Sequence, residues 1–259
     1  MKRFIKKPLM FLLVLIGVAG CLLIVFGFLS ETGSDQNIKQ PAVNSTEEAP
    51  LHELDIAVQK NTNDENVFNI TMDDFIQSYN GYYWQDHGER YLQAASEWQV
   101  SSLDNTVESA YPATQYSFRA DENTWTLPVV NVIVPDSGEQ IQQIDLNYDE
   151  HSYSEATYAL FEKDCYYTLK VFFPDLSEKQ LTSLYQTINQ SSYDNTFPST
   201  QKYRVGSAQL PVKLFYRNGI GVFGYFAIGA PVHFCVIPVD DATIADYKAS
   251  GVDVQEIGA

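Results

Sequence analysis

The chain has 259 residues, 45% of them hydrophobic and 14% aromatic, and a formal net charge of −17. Four basic residues (Lys2, Arg3, Lys6, Lys7) precede an N-terminal apolar stretch and all 33 acidic residues follow it, so the rest of the chain sets 12 basic against 33 acidic residues, a charge of −21. That balance repels phosphate backbones and anionic lipid headgroups, which excludes nucleic-acid binding and a basic amphipathic grip on membranes from the expected roles, while the length suffices for one substantial core.

Residues 9–29, LMFLLVLIGVAGCLLIVFGFL, contain no charged or amide side chain. Their length matches the roughly 20 residues of a membrane-spanning helix and exceeds the apolar core of a cleaved signal peptide. The basic tail before the span (1–8) and the acids after it predict a cytoplasmic N-terminus, with the rest of the chain outside a cell membrane. Within the span, Val18-Ala19-Gly20-Cys21 resembles the bacterial lipobox, which implies lipid attachment at Cys21. Unlike lipoproteins of that pattern, the chain stays apolar after the cysteine. Helix and lipid anchor are therefore both open, and both tether the domain on the same side.

Residues 30–66 are rich in Ser, Thr, Asn, Asp, Glu and Pro and read as a flexible acidic linker. Leu51, Leu54 and Ile56 form a short amphipathic piece within it that can pack on the domain. The folded domain is expected over 67–259. Thr71 caps a first helix carrying Phe75, Ile76 and Tyr79 on one face, with Asn80-Gly81 as its stop. Strands are predicted over 116–120, 125–134 and 141–148, the last two joined by a turn at Pro135-Asp136-Ser137-Gly138. Ser154 and Ser177 start two helices forming an αα-hairpin, although 165–173 also fits a strand by its alternation. Strands follow over 212–217, 220–228 and 232–237, the first pair flanking the hairpin signal Asn218-Gly219. A short helix capped by Asp240 or Asp241 and ending near Gly251 completes the chain. The apolar run 220–239 contains Pro231, His233 and several glycines, so it reads as buried strands and not as a second span. The fold class is α+β: a single N-terminal transmembrane helix, a linker, then a mainly antiparallel sheet with helices on one face, in the order of a helix-then-strands unit repeated twice.

Few residues carry chemistry by pattern. Cys165 and Cys235 lie on predicted core faces, where they either form a disulfide or remain buried thiols. His233, two residues from Cys235 on one strand face, is a weak pairing for a cysteine nucleophile. Asp86-His87-Gly88-Glu89 is a dense titratable cluster, read as a solvated loop. The histidines (His52, His87, His151, His233) lack metal-ligand spacing, and Asn61–Asn66 lacks the glycine and final glutamate of a calcium loop, so neither a metal nor a cofactor is expected. Ser199-Thr200-Gln201-Lys202 matches SxxK without the companion motifs of penicillin-recognising enzymes. The aromatic residues Tyr82, Tyr83, Trp84, Tyr91 and Trp98 are the candidate ligand-binding group, set against a role in covering the core. With no catalytic residue assigned, the expected function is a membrane-anchored, non-catalytic binding domain at a bacterial cell surface, recognising a peptide, a glycan or a protein partner. A hydrolase with an unfamiliar site around Asp86, His87 and Glu89, and an accessory subunit of a membrane complex, are the alternatives.

Overall fold

A computed structural model describes residues 48–103, 112–120, 127–148, 154–194, 204–205, 208–209, 213–226 and 232–258. The expected anchor with Cys21, the linker up to residue 47, His151 and the SxxK segment lie outside the described residues. Among the described residues no helix is long and apolar enough to cross a membrane.

The strands are β1 (Val58–Lys60), β2 (Asn66–Phe68), β3 (Gln99–Ser102), β4 (Ala113–Arg119), β5 (Val129–Pro135), β6 (Gln143–Tyr148), β7 (Arg204–Val205), β8 (Ala208–Gln209), β9 (Lys213–Arg217), β10 (Ile220–Phe226), β11 (Val232–Pro238) and β12 (Asp253–Glu256). The helices are α1 (Met72–His87), α2 (Glu155–Phe172), α3 (Glu178–Asp194) and α4 (Asp241–Ala249). Eight strands form one sheet in the order β12-β9-β10-β11-β6-β5-β4-β3. Every pairing is antiparallel except β12 with β9. The meander β3–β6 and the meander β9–β11 meet where β11 pairs with β6, and helices precede each meander in the chain.

Strand alternation explains the layers. Val130, Val132, Ile144, Leu146, Phe234 and Val236 point into the main core beneath α1, α2 and α3. Each buried Val, Leu, Ile or Phe there contributes about 1.5–3 kcal/mol. On the opposite face the two halves of the sheet differ. Leu214, Phe223 and Cys235 of β9–β11 are apolar and join Ile244 and Tyr247 of α4 in a second cluster. The matching positions of β4–β6 are polar: Ser117, Asn131 and Asp145. The helices are therefore divided, three on one face and α4 on the other. The expectation of helices on one face alone is corrected by the apolar alternation of β9–β11, which leaves a second surface to cover.

Helix α1 also departs from expectation. Thr71 caps it as predicted, its hydroxyl accepting from Asp74 N–H while Asp74 Oδ2 accepts from Thr71 N–H at 2.8 Å. Asn80-Gly81 does not stop it; the helix runs on to His87, and Gly88 is the left-handed cap. The Asn80 side chain instead holds the following loop, accepting from Tyr91 N–H and Leu92 N–H and donating to Leu92 O at 2.8 Å. A Cβ on Gly81 would stand 2.8 Å from the Leu51 backbone, so this glycine admits the close approach of an N-terminal segment.

Part of the segment read as linker belongs to the domain. Leu51, Leu54 and Ile56 pack against the main core, and β1 pairs with β2. Asn61 bonds Glu65 and Ser137 through its side-chain amide, so the Asn61–Asn66 oxygens close a turn. The αα-hairpin forms, with Ser154 accepting from Thr157 N–H, and residues 165–172 are helical. The run 220–239 supplies β10 and β11, as expected of buried strands, and Asn218 and Gly219 take the positive φ (51° and 82°) that joins β9 to β10.

Candidate functional site: the polar face of the sheet

Sheet register gathers polar residues that sequence distance separates. Cys235 stands opposite Asp145, Asp145 opposite Asn131, Asn131 opposite Ser117, and Ser117 opposite Gln99. The row beside it runs Tyr225, His233, Asn147, Val129, Arg119. Both rows lie on the face away from α1–α3, because they alternate with the core positions.

The centre of this face is a tight polar knot. His233 Nδ1 lies 2.9 Å and 3.1 Å from the two Asp145 oxygens. Cys235 Sγ donates to Asp145 Oδ1 at 3.2 Å, and Asn147 Nδ2 donates to Oδ2 at 3.3 Å. Tyr225 stacks on the His233 ring, centroids 4.3 Å apart and planes 5° from parallel. Burial alone would push the Asp145 carboxyl up, but the hydrogen bond and charge of His233, with the donors Cys235 and Asn147, outweigh it and hold the group below its usual range. Burial, followed by the Asp145 charge and hydrogen bond, pushes the Cys235 thiol well up. A protonated thiol donating to a carboxylate is not an activated nucleophile, and Asp145, not His233, is the partner that the thiol engages.

Next to the knot lies a shallow depression of about 280 Å³. Gln99, Gln115, Ser117, Arg119, Asn131 and Asn147 line it, with Phe118 and Val129 as the apolar part. Asn131 is buried, and its Oδ1 accepts from Ser117 Oγ at 2.7 Å and Gln115 Nε2 at 3.2 Å. Arg119 Nε is buried without a hydrogen-bond partner. Among the described residues the depression is rich in donors and acceptors and holds no nucleophile–base pair, which suits recognition more than bond-making.

The aromatic candidates lie elsewhere. Tyr82, Tyr83, Tyr91 and Trp98 are buried in the main core, and Trp84 is half-buried. Tyr83 stacks on Tyr91 at 5.1 Å, Tyr91 on Tyr79 at 6.0 Å, and Trp98 meets Phe118 at 5.4 Å. These four rings join α1 to α2 and to the sheet and do not present a docking platform. Among them sits Asp164 of α2, 2% exposed, accepting from Tyr79 Oη at 3.1 Å. Burial raises its carboxyl to about 6, against the lowering effects of Lys163 and the tyrosine hydroxyls.

Of the two alternatives for the cysteines, the structure holds the buried thiols: Cys165 and Cys235 are both free. Cys165 is in the helix-side core and Cys235 in the cluster on the other face, so the sheet itself stands between their environments. Asp86 and His87 are not in a solvated loop but end α1, where Tyr167 Oη donates to Asp86 at 2.9 Å and meets His87 Nε2 at 3.0 Å. Lys170 adds an ion pair to Asp86 at 3.2 Å. Glu89 lies beyond the Gly88 cap. Among the described residues no three metal-ligating side chains cluster.

Sequence reasoning missed the polar face. Its signal was present as alternation, in Gln115-Tyr116-Ser117-Phe118-Arg119 and Gln143-Ile144-Asp145-Leu146-Asn147, where every second residue is polar. No family model matches the chain, and neither the curated proteins nor the solved structures compared with it give a match.

Proposed function

We propose that this is a membrane-tethered, non-catalytic binding domain that recognises an extended peptide segment on the polar face of its sheet. The observation that carries the reading is the depression over β3–β6, whose amide side chains donate and accept as a peptide backbone does. Among the described residues its lining offers no exposed aromatic ring: Phe118, the one aromatic among them, is buried in the core, so support for a glycan is weaker. The apolar stretch 9–29, with basic residues before it and acids after it, supports a tether that leaves this face outside the cell membrane. The raised Cys235 thiol, and the engagement of Asp86 and His87 by the Tyr167 hydroxyl at the end of α1, speak against the hydrolase reading.

The test is selection of random displayed peptides on the full chain held in lipid nanodiscs, followed by rebinding to Ser117→Trp, which places an indole on the floor of the depression. Peptides enriched on the unaltered chain should lose at least tenfold in affinity on the variant while its melting temperature stays within a few degrees. Equal binding to both proteins, or cleavage of the selected peptides, contradicts the reading.

A further inference from the structure

We infer that the depression is a carboxylate subsite centred on Arg119, fitted to the C-terminal end of a peptide. This rests on the reading of the face as peptide-binding and adds the chemical group that it would select.

Among the described residues Arg119 is the lone basic residue of the depression. Among the described residues no carboxylate forms an ion pair with it, and its buried Nε lacks a hydrogen-bond partner. A buried donor of this kind is costly to leave unmade, and guanidinium is the side chain whose planar fork matches a carboxylate. Glu97 lines the adjoining crevice with Arg119 without pairing to it, so a competing carboxylate stands near but does not neutralise the site.

The neighbourhood narrows the ligand. The depression is just below the usual range of ligand pockets, so it accommodates one end of a ligand. A single cation in the described lining, set in a domain of strongly negative charge, favours a monoanion; a phosphate cluster or polyanion meets repulsion from the rest of the surface. Gln99 on β3 stands opposite Ser117, two residues from Arg119, and Gln115 lies four residues from Arg119 on β4 itself; both line the depression, where they can meet the last peptide groups before the carboxylate. Val129, beside Arg119 in the register, offers a small apolar contact for a terminal side chain.

The experiment compares acetyl-Ala-Ala-Ala carrying a free carboxylate with the same peptide amidated, each titrated into the isotope-labelled full chain in nanodiscs. The readouts are the Arg119 Nε–H resonance and the side-chain amides of Gln99, Gln115 and Asn131. The free acid should shift all four and bind about ten- to a hundredfold tighter than the amide. Arg119→Gln should erase that difference, Arg119→Lys should retain only part of it, and Glu97→Gln should preserve or increase it. Equal binding of acid and amide on the sheet face overturns the carboxylate inference and leaves the peptide reading standing. No shift on this face with either peptide at millimolar concentration overturns both. An acid preference that survives in Arg119→Gln also overturns the assignment, and the lysine variant repeats the comparison if the glutamine variant melts early.

Discussion

His233 on β11 and Asp145 on β6 meet at 2.9 Å although 88 residues separate them in the chain. Their contact sits on the seam that joins the two meanders, and it fixes the polar knot on the face opposite the helices. Both side chains are largely buried, at 17% and 12% exposure, so the contact is costly to break on one side.

His233→Ala should therefore destabilise the domain by about 2–4 kcal/mol at pH 7, because Asp145 stays buried with only Cys235 and Asn147 as donors. The folded state holds the Asp145 carboxyl below its unfolded value. Its stabilising contribution is thus present above the ordinary carboxylate range and lost as pH falls through the folded value. Urea unfolding at pH 7 and at successively lower pH should show a large effect of the substitution at the first and a diminishing one as pH falls below the ordinary carboxylate range.

Asp164 gives the opposite slope. Its folded carboxyl titrates at about 6, above the ordinary value of 3.8, so the folded state binds more protons between these values. Through this group stability falls as pH rises from about 4 to 6 and stays lowered above it. Asp164→Asn should raise stability by about 1–3 kcal/mol at pH 7.5 and remove that slope, with little gain near pH 4. Denaturant melts across this range provide the check.

Gly81→Ala tests whether this position is a packing glycine. In an unconstrained helix the change would stabilise by up to about 1 kcal/mol. Here the new Cβ meets the Leu51 backbone at 2.8 Å, and overpacking costs about 1–3 kcal/mol. A lower melting temperature, with faster proteolysis around residues 48–56, is the expected result.

Cys165 and Cys235 should both be labelled by an alkylating reagent in denaturant without prior reduction, and both should resist it in the folded protein, where they are buried. Peptide mass spectrometry reads the two sites separately.

The sequence made the regular elements legible wherever a cap or turn had its own chemistry: Thr71, Ser154, Asp240 and Asn218-Gly219 mark boundaries that the structure keeps. Asn80-Gly81 misled because a stop signal in an isolated helix is here a tertiary contact, with Asn80 holding the 91–92 loop and Gly81 accommodating Leu51. The aromatic group from Tyr82 to Trp98 was visible as a cluster, but composition cannot tell which side of a ring meets water. The polar face was hidden for a different reason. Its residues come from β3, β4, β5, β6 and β11, and only strand register, a long-range property, sets them side by side.

The most direct test of the central claim is amide chemical-shift mapping of the full chain in nanodiscs with a peptide from the display selection. The account predicts perturbations clustered on Gln99, Ser117, Arg119, Asn131 and Asn147, with α1 and α2 unaffected. Perturbations confined to the helical side, around Trp84 and Lys170, would contradict it.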